Sequence, residues 1–345
     1  MKIFNLKNSN GASVSITDAG AAVQSLIVPD RNGKLEDVVL GFDSPEEYLT
    51  KNDPYLGVIV GRYGNRIDEG KFSLGGKSYR VTINDGTNHL HGGINGFSKK
   101  IWIAEKLKSN LGDAVKLVYQ SKDMEEGYPG NLSLTVIYTL TAANELRIDY
   151  EATTDKETIL NPTHHSYFNL TGNPRNTILD HVIMINAEKY TPVNKKLIPT
   201  GELASVENTP LDFRKPVEVG LRIDDDNEQL KIAGGYDFNW VLSESIASRN
   251  DYSGVIRNAA SAFDKSSGRL MEVFTDQPGI QFYSGNFLNG TVNGKAGIAY
   301  NRRCGLCFEA QHFPNSPNEK SFPSTVLKPG EIYKQTTIYK FSVLR

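Results

Sequence analysis

The chain has 345 residues, of which 39% are hydrophobic and 23% charged, the composition of a globular protein with a sizeable buried core. Its 38 lysine and arginine residues and 40 aspartate and glutamate residues leave a formal charge of −2, so electrostatics favours neither nucleic acid nor an anionic membrane as a partner. No apolar run approaches the roughly 20 residues that span a bilayer, and two cysteines cannot form a disulfide framework.

The first ten residues alternate polar and apolar side chains and lack the continuous apolar segment of a secretory signal peptide. We therefore expect a cytoplasmic protein, or a periplasmic one if a leader has been trimmed.

Antiparallel strands dominate the predicted elements. In chain order, Ser44-Pro45-Glu46-Glu47 first combines an N-cap residue, a first-turn proline and early acids, which predicts one or two helical turns. Asn131–Leu140 then alternates apolar and polar side chains, and the alternation resumes after Ala142-Ala143-Asn144 and runs to Ala152. Because side chains alternate faces along a strand, this stretch predicts a hairpin with one buried and one wetted face. Thr336–Val343 predicts a further strand.

Many strands with short turns, and no longer helical periodicity, predict an all-β fold: a large antiparallel β-sandwich with few short helices. No internal repeat and no linker rich in proline and serine interrupts the chain, so we expect a single domain over residues 1–345. Asn208–Asn227 is the candidate for a long excursion from it.

Two short motifs have ordinary explanations. Cys304-Gly305-Leu306-Cys307 matches C-x-x-C but leads directly into Phe308 without a βαβ context, so two strand cysteines are favoured over redox or metal chemistry. Asp224–Glu228 is dense in oxygen ligands but lacks EF-hand spacing, so a solvated acidic loop is favoured over a structural calcium site. Phosphate-loop, dinucleotide, serine-hydrolase and zincin motifs are absent from the sequence.

Four of the six histidines fall in two groups. His89 and His91 would share a face of an extended strand, the geometry of a metal-binding pair, whereas hydrogen bonding within a loop is the ordinary alternative. His164 and His165 are adjacent, so in a strand they point to opposite faces and only one can serve a given site. That histidine is either a structural residue or a general acid, since imidazole titrates near neutral pH.

Carboxylates and arginines stand among aromatic residues. Glu309 lies in a largely apolar stretch, Asp237 lies between Tyr236 and Phe238, and two arginines, Arg62 and Arg66, follow an apolar run. Taken singly, each is explained by a buried ion pair or a turn. Together they have the composition of a sugar site, because hydroxyl groups need many polar partners and the C–H face of a pyranose packs on an aromatic wall.

Six segments carry a resemblance to the aldose 1-epimerases, also called galactose mutarotases. In the family's order they are Gly61–Ile67 (GRYGNRI), Leu90–Gly93 (LHGG), His165–Leu170 (HSYFNL), Gly235–Asp237 (GYD), Pro278–Asn286 (PGIQFYSGN) and Phe308–Pro314 (FEAQHFP). They extend over most of the chain.

The resemblance implies a galactose mutarotase-like β-sandwich with an open sugar cleft. It also implies interconversion of the α and β anomers of a free aldose, with no metal or other cofactor required. By position, Glu309 resembles the general base, which takes the proton from the anomeric hydroxyl O1, and His165 the general acid, which protonates the ring oxygen O5 from the opposite side of C1. The residues that resemble the sugar-holding set are Asn65, Arg66, His91, Asp237 and Gln281.

The sequence departs from the family pattern at Phe238, where many members have histidine, and this puts the preference among sugar hydroxyls in question. His89 and His164 have no family role to transfer and are interpreted as supporting residues.

Three other functions compete with this interpretation. A glycoside hydrolase would pair Glu309 with Asp237 or Asp276, but it leaves the histidine motifs unexplained. A phosphosugar epimerase would need a basic cluster near the cleft, for which Arg302-Arg303 and Lys99-Lys100 are candidates. A non-catalytic carbohydrate-binding module would not need the acid–base pair. The expected partner is a monosaccharide, bound by a monomer or a weak homodimer.

Overall fold

Antiparallel β-strands make up most of the regular structure. The computed structural model describes residues 1–242 and 255–344. The strands are β1 (Ile3–Lys7), β2 (Ser13–Thr17), β3 (Val23–Pro29), β4 (Leu35–Asp37), β5 (Ile59–Val60), β6 (Arg66–Ile67), β7 (Lys71–Leu74), β8 (Lys77–Arg80), β9 (His89–Leu90), β10 (Ile103–Lys108), β11 (Gly112–Ser121), β12 (Leu132–Thr141), β13 (Glu145–Thr154), β14 (Thr158–Ile159), β15 (Thr163–His164), β16 (Val182–Ile185), β17 (Lys189–Thr191), β18 (Ala204–Ser205), β19 (Val217–Glu218), β20 (Asp237–Val241), β21 (Arg257–Phe263), β22 (Arg269–Thr275), β23 (Gly279–Tyr283), β24 (Cys307–Gln311), β25 (Val326–Leu327) and β26 (Tyr333–Val343). The α-helices are α1 (Pro45–Thr50) and α2 (Glu228–Ala233), and short 3₁₀ turns lie at Asp68–Gly70, Phe97–Lys99, Glu125–Gly127, Val219–Leu221, Lys295–Gly297 and Ser316–Asn318.

Three larger sheets organise the described strands. The first has nine strands in the order β10-β11-β12-β13-β26-β22-β21-β16-β19, the second has five in the order β18-β17-β20-β23-β24, and the third is the meander β1-β2-β3-β4. Two-stranded ladders join β5 to β15, β6 to β9, β7 to β8 and β14 to β25. All three large sheets contribute buried side chains to one hydrophobic cluster, among them Leu26, Tyr138, Phe282 and Tyr339. The predicted antiparallel β-sandwich is therefore confirmed.

The elements predicted from sequence pattern are present. Helix α1 begins where predicted, and the Ser44 main-chain N–H donates to the Glu47 carboxylate at 3.1 Å. β12 and β13 form the predicted hairpin, with Leu134 opposite Ala152 and both buried. The predicted C-terminal strand is β26, which lies between β13 and β22 in the middle of the nine-stranded sheet.

The stretch Asn208–Asn227 contains β19 at the edge of the nine-stranded sheet and leads into α2. The Asn227 side chain caps this helix by accepting from the main-chain N–H groups of Gln229 and Leu230, and Gly234 ends it with a φ of 67°. Helix α2 is not predicted from the sequence, because six residues are too few to show a helical period. Both described α-helices have six residues, so neither is long enough to cross a membrane.

The middle of the five-stranded sheet is buried on both sides. Every residue of β20, β23 and β24 is buried. One face packs aromatic side chains, including Phe238, Phe282 and Phe308, into the main hydrophobic cluster. The opposite face carries Asp237, Gln281 and Glu309. The nine-stranded sheet supports this layer, since the Tyr339 hydroxyl of β26 donates to the Phe308 carbonyl at 2.7 Å.

Of the two arginines singled out in the sequence, Arg62 is structural. It is 1% exposed, and its guanidinium donates to the main-chain carbonyls of Ser121, Lys122, Pro129 and Gly130 at 2.7–3.1 Å. These bonds hold the segment that leads to Arg66 against the end of β11 and the connection between β11 and β12.

Replacing Arg62 tests this support. Arg62→Met keeps an unbranched side chain but leaves buried carbonyl groups without a donor, so we expect the free energy of unfolding to fall by about 3 kcal/mol or more. Urea denaturation measures the change. The control is Arg80→Met at an exposed position, for which we expect a change within about 0.5 kcal/mol. Equal stability of the two variants would contradict the assignment.

Candidate active site

A cavity of about 300 Å³ opens over the polar face of the five-stranded sheet. Six of the seven predicted site residues line it: Asn65, Arg66, His91, His165, Asp237 and Glu309. The seventh, Gln281, lies behind the wall, where its side-chain nitrogen donates to Asp237 Oδ1 at 2.7 Å. Residues separated by up to 244 positions, from Asn65 to Glu309, therefore meet in one cleft.

Two short ladders carry the histidines and Arg66 to the sheet. The first pairs β5 with β15, and His165 follows β15 directly. β15 is tied to β24, the strand that carries Glu309, because the Thr163 hydroxyl donates to the Ala310 carbonyl at 2.9 Å. The second ladder pairs Arg66 of β6 with Leu90 of β9, and His91 follows it.

Glu309 and His165 are neighbours in the cleft. His165 Nε2 lies 3.7 Å from Glu309 Oε2, and both side chains are buried. This distance exceeds that of a hydrogen bond, and it leaves no room for a sugar carbon between the two groups. The expectation that they stand on opposite sides of C1 is therefore wrong. They lie side by side on the wall of the cleft.

Burial shifts both groups toward their neutral forms. Desolvation raises the pKa of Glu309 well above its ordinary value of 4.5, and the nearby Asp237 adds to this effect while Arg66 opposes it. Desolvation also lowers the pKa of His165 from its ordinary value of 6.5. Between these two pKa values the pair holds a single proton.

His91 presents a hydrogen-bond donor to the cleft. Its Nδ1 accepts the main-chain N–H of Asn65 at 3.1 Å, and burial lowers its pKa well below 6.5, so the ring is neutral with its proton on Nε2. Both Asn65 and His91 have left-handed backbone, with φ of 59° and 50°. His91 also packs against the rings of Tyr55, at 4.7 Å between centroids, and His165, at 5.0 Å.

Aromatic side chains form walls that sequence analysis anticipated without locating. They are Tyr55, Tyr167, Tyr283, Tyr300 and, at the exposed rim, Phe287. In the apolar run Tyr55–Val60 only the last two residues form a strand, β5, and Tyr55 has a φ of 64°. No sequence signal marked Tyr55 as a wall residue.

The paired histidines do not form a metal site of the H-x-H kind. The left-handed backbone at His91 turns the two rings apart, and the ring of His89 instead contacts the Thr82 carbonyl at 2.6 Å and the Tyr128 hydroxyl at 2.5 Å. His164 faces away from the cleft, as predicted, with its ring against Tyr138 and its Nε2 2.7 Å from the Ser166 hydroxyl.

One set of metal-type ligands occurs among the described residues: His91, His165 and Glu309, whose ligand atoms lie within 4.8 Å of one another. In the acidic loop, Asp224 pairs with Arg303 at 2.6 Å and Asp226 pairs with Lys231. Two statements stay predictions: that the reaction requires no cofactor, and that this acidic loop is solvated in preference to binding calcium.

Of the side chains proposed for the competing functions, Asp237 and Glu309 line the cavity, whereas Asp276 and the four candidate cations do not. Asp276, the alternative hydrolase carboxylate, accepts from the Thr336 main-chain N–H at 3.0 Å. The candidate phosphate-binding cations have other partners: Arg302 donates to the Gly234 carbonyl, Arg303 pairs with Asp224, Lys99 donates to the Asn52 carbonyl and Lys100 pairs with Glu125. Cys304 and Cys307 are free and buried, and Cys307 Sγ lies 3.7 Å from His165 Nδ1.

Comparisons with known proteins agree with this architecture. A model of the aldose 1-epimerase family matches residues 2–340. Galactose mutarotase from Mus musculus is 46% identical over 340 residues, which cover 99% of this chain and 94% of that protein. The human galactose mutarotase is 44% identical over 330 residues (96% and 91%), and aldose 1-epimerase from Escherichia coli K12 is 35% identical over 342 residues (99% and 95%).

Solved structures show the same fold. An aldose epimerase homologue from C. elegans superposes with a TM-score of 0.86 at 30% identity, covering 100% of this chain and 99% of that one. Galactose 1-epimerase from Lactobacillus acidophilus superposes with a TM-score of 0.84 at 30% identity, covering 99% and 95%. These matches define an isomerase with a mutarotase-type β-sandwich. The chain belongs to the aldose 1-epimerase family, whose members interconvert the α and β anomers of aldoses.

Phe238 does not face the sugar cleft. Its side chain is fully buried on the core face, with ring centroids 6.0 Å from Tyr190 and 6.2 Å from Trp240. We therefore expect Phe238→His to leave the ratio of kcat/KM for galactose and glucose unchanged, while the buried polar ring lowers the free energy of unfolding by about 2 kcal/mol. Polarimetry and urea denaturation measure the two effects. A changed sugar preference at unchanged stability would contradict this placement.

Proposed function

We propose that this chain interconverts the α and β anomers of free aldoses of the galactose and glucose type, with Glu309 as the base and His165 as the acid. The observation that carries the proposal is the 3.7 Å separation of His165 Nε2 and Glu309 Oε2 on the wall of a buried cleft. Two titratable groups at this spacing fit a reaction in which one proton leaves O1 while another reaches O5.

Ring opening balances within this pair. The Glu309 carboxylate takes the O1 proton, the C1–O5 bond breaks with its electron pair on O5, and O5 takes the proton of His165. C1 is now an aldehyde carbon, which turns about its bond to C2 and presents its other face to O5. Ring closure reverses both transfers, so the pair regains its starting protonation. Positioned proton transfers of this kind contribute about 10²- to 10⁴-fold each.

Burial of the pair favours the intermediate. With the open-chain sugar in the cleft, Glu309 is protonated and His165 is neutral, which are the forms that desolvation stabilises. Before ring opening, Glu309 is a carboxylate and His165 is protonated, so the pair also holds one proton in this state. The two protonation states of the pair therefore interconvert by proton transfers through the sugar, and the enzyme takes no net proton from solvent.

The remaining cleft residues supply the polar partners that sugar hydroxyls need. Asp237 is held by Gln281 and accepts, while Arg66 and the Nε2–H of His91 donate. A donor beside O1 or O5 stabilises charge that develops on these oxygens, and a buried site strengthens that effect. The tyrosine walls pack on the C–H face of the pyranose ring.

Both cysteines are free and buried, which supports a reducing, cytoplasmic location.

Isosteric replacement tests the two roles. We expect Glu309→Gln and His165→Asn each to lower kcat by at least about 10²-fold, because each removes one proton transfer. Polarimetry on freshly dissolved α-D-galactose, corrected for the spontaneous rate, measures the activity. Circular dichroism and denaturation verify folding. Near-full activity of Glu309→Gln would contradict the base assignment. An aryl glycoside serves as the control for hydrolysis, and release of its chromophore would favour a hydrolase instead.

The pH dependence follows from the pKa shifts. Adding a second proton to the pair blocks the base, and removing the only proton blocks the acid, so kcat/KM is bell-shaped. Because burial lowers the pKa of His165, we expect the acid limb below pH 6.5, and because burial raises the pKa of Glu309, the alkaline limb lies well above pH 4.5. The two limbs are defined by rates of anomer exchange measured from about pH 4 to about pH 10, a range that spans the ordinary pKa of histidine. Each rate is corrected for the buffer-catalysed rate. An acid limb above pH 6.5 would contradict the shift.

A further inference from the structure

A half-exposed carboxylate outside the cleft holds the sugar-binding arginine. Arg66 Nε lies 2.7 Å from Asp85 Oδ2, with the arginine side chain 9% exposed and the aspartate 36% exposed. Asp85 is not part of the cavity wall, whereas Arg66 is. Within the part of the chain that the structure describes, this is the side-chain hydrogen bond that Arg66 makes, and its two terminal nitrogens remain available to a ligand.

Asp85 is itself held in a fixed position. Its main-chain N–H donates to the Asn88 carbonyl at 3.1 Å, and Asn88 returns a bond to the Asp85 carbonyl at 2.8 Å. The preceding Asn84 side chain bonds both the N–H of Leu90, at 2.7 Å, and its carbonyl, at 3.0 Å. The turn that carries Asp85 is thus held by hydrogen bonds to β9, which pairs with the strand of Arg66.

Without the bond to Asp85, the Arg66 guanidinium would be attracted to the buried carboxyl groups of the cleft. Two buried carboxyl groups, Asp237 and Glu309, lie within electrostatic reach of the guanidinium, which opposes the rise in the pKa of each. A guanidinium free at Nε can turn its planar fork onto either carboxyl group. Such an ion pair would occupy the donors and the acceptor that the sugar needs.

We propose that Asp85 is a positioning residue for sugar binding: by holding Arg66 at Nε, it keeps the two terminal nitrogens directed at the substrate and prevents an ion pair between Arg66 and the cleft carboxyl groups. The proposal rests on the proposed function, since it assigns Arg66 to the sugar. Asp85 contacts no substrate and acts through the arginine.

The first experiment separates binding from chemistry. We expect Asp85→Ala to raise KM for D-galactose roughly tenfold with a smaller change in kcat, because the proton-transfer pair stays intact. NMR titration gives the Kd for D-galactose independently of turnover, and it should weaken by a similar factor. Asp85→Asn keeps an acceptor oxygen for Nε and should restore most of the affinity. Unchanged KM and Kd in Asp85→Ala would overturn the proposal.

A matched control tests whether any loss is merely structural. Arg147 Nε lies 2.7 Å from Asp149 Oδ2 in β13, outside the cleft, and Asp149 is 31% exposed. Asp149→Ala removes the same kind of ion pair and should leave KM and kcat unchanged. A rise in KM equal to that of Asp85→Ala would show a general effect of removing ion pairs and overturn the assignment.

A double-mutant cycle tests the route of action. In an Arg66→Met background, Asp85→Ala should have no further effect on kcat/KM, since no guanidinium remains to be positioned. A full additional tenfold loss in that background would show that Asp85 acts by another route and overturn the proposal. If the unaltered protein fails to speed anomer exchange yet binds galactose, the proposed function fails, and the Kd series still decides the role of Asp85.

Discussion

Burial of a polar sheet face is the constraint on which the site depends. β20, β23 and β24 are covered on both sides, with aromatic rings toward the core and Asp237, Gln281 and Glu309 toward the cleft. In a region of low dielectric, these groups interact more strongly with each other and with sugar hydroxyls than they would in water. The same desolvation moves the pKa values of Glu309 and His165 toward the neutral forms. One feature of the packing therefore governs both the polarity of the cleft and the pKa values of the proposed proton-transfer pair.

The side chains of the site come from two kinds of element, the five-stranded sheet and two short two-stranded ladders. The sheet supplies the acceptors, whereas the two short ladders supply the donors His165, Arg66 and His91. Opposite chemical types thus come from different elements, and their relative position depends on cross-links between those elements. Thr163 provides such a link to β24, and Arg62 ties the segment before β6 to the connection between β11 and β12. The relative positions of the side chains in the cleft therefore depend on the stability of these links.

Much of this arrangement was predictable from the sequence, for reasons that differ by residue. β12 and β13 each have one wetted face, so their alternation was visible, and Glu309 stood out because charge is rare among aromatic residues. The contact of His165 with Glu309 was not visible, since 144 positions separate them and only the fold joins them. The paired-histidine metal geometry failed because the left-handed backbone of His91 is not signalled by residue type. Tyr55 and α2 left no periodic signal at all.

The place of β26 has a consequence for how the molecule is made. This strand comes last in chain order, yet it fills the middle of the nine-stranded sheet, and its Tyr339 hydroxyl steadies the main chain next to Glu309. All the residues that line the cleft are therefore synthesised before the strand that joins β13 to β22. Until then two sheet edges stay open, and open edges invite aggregation.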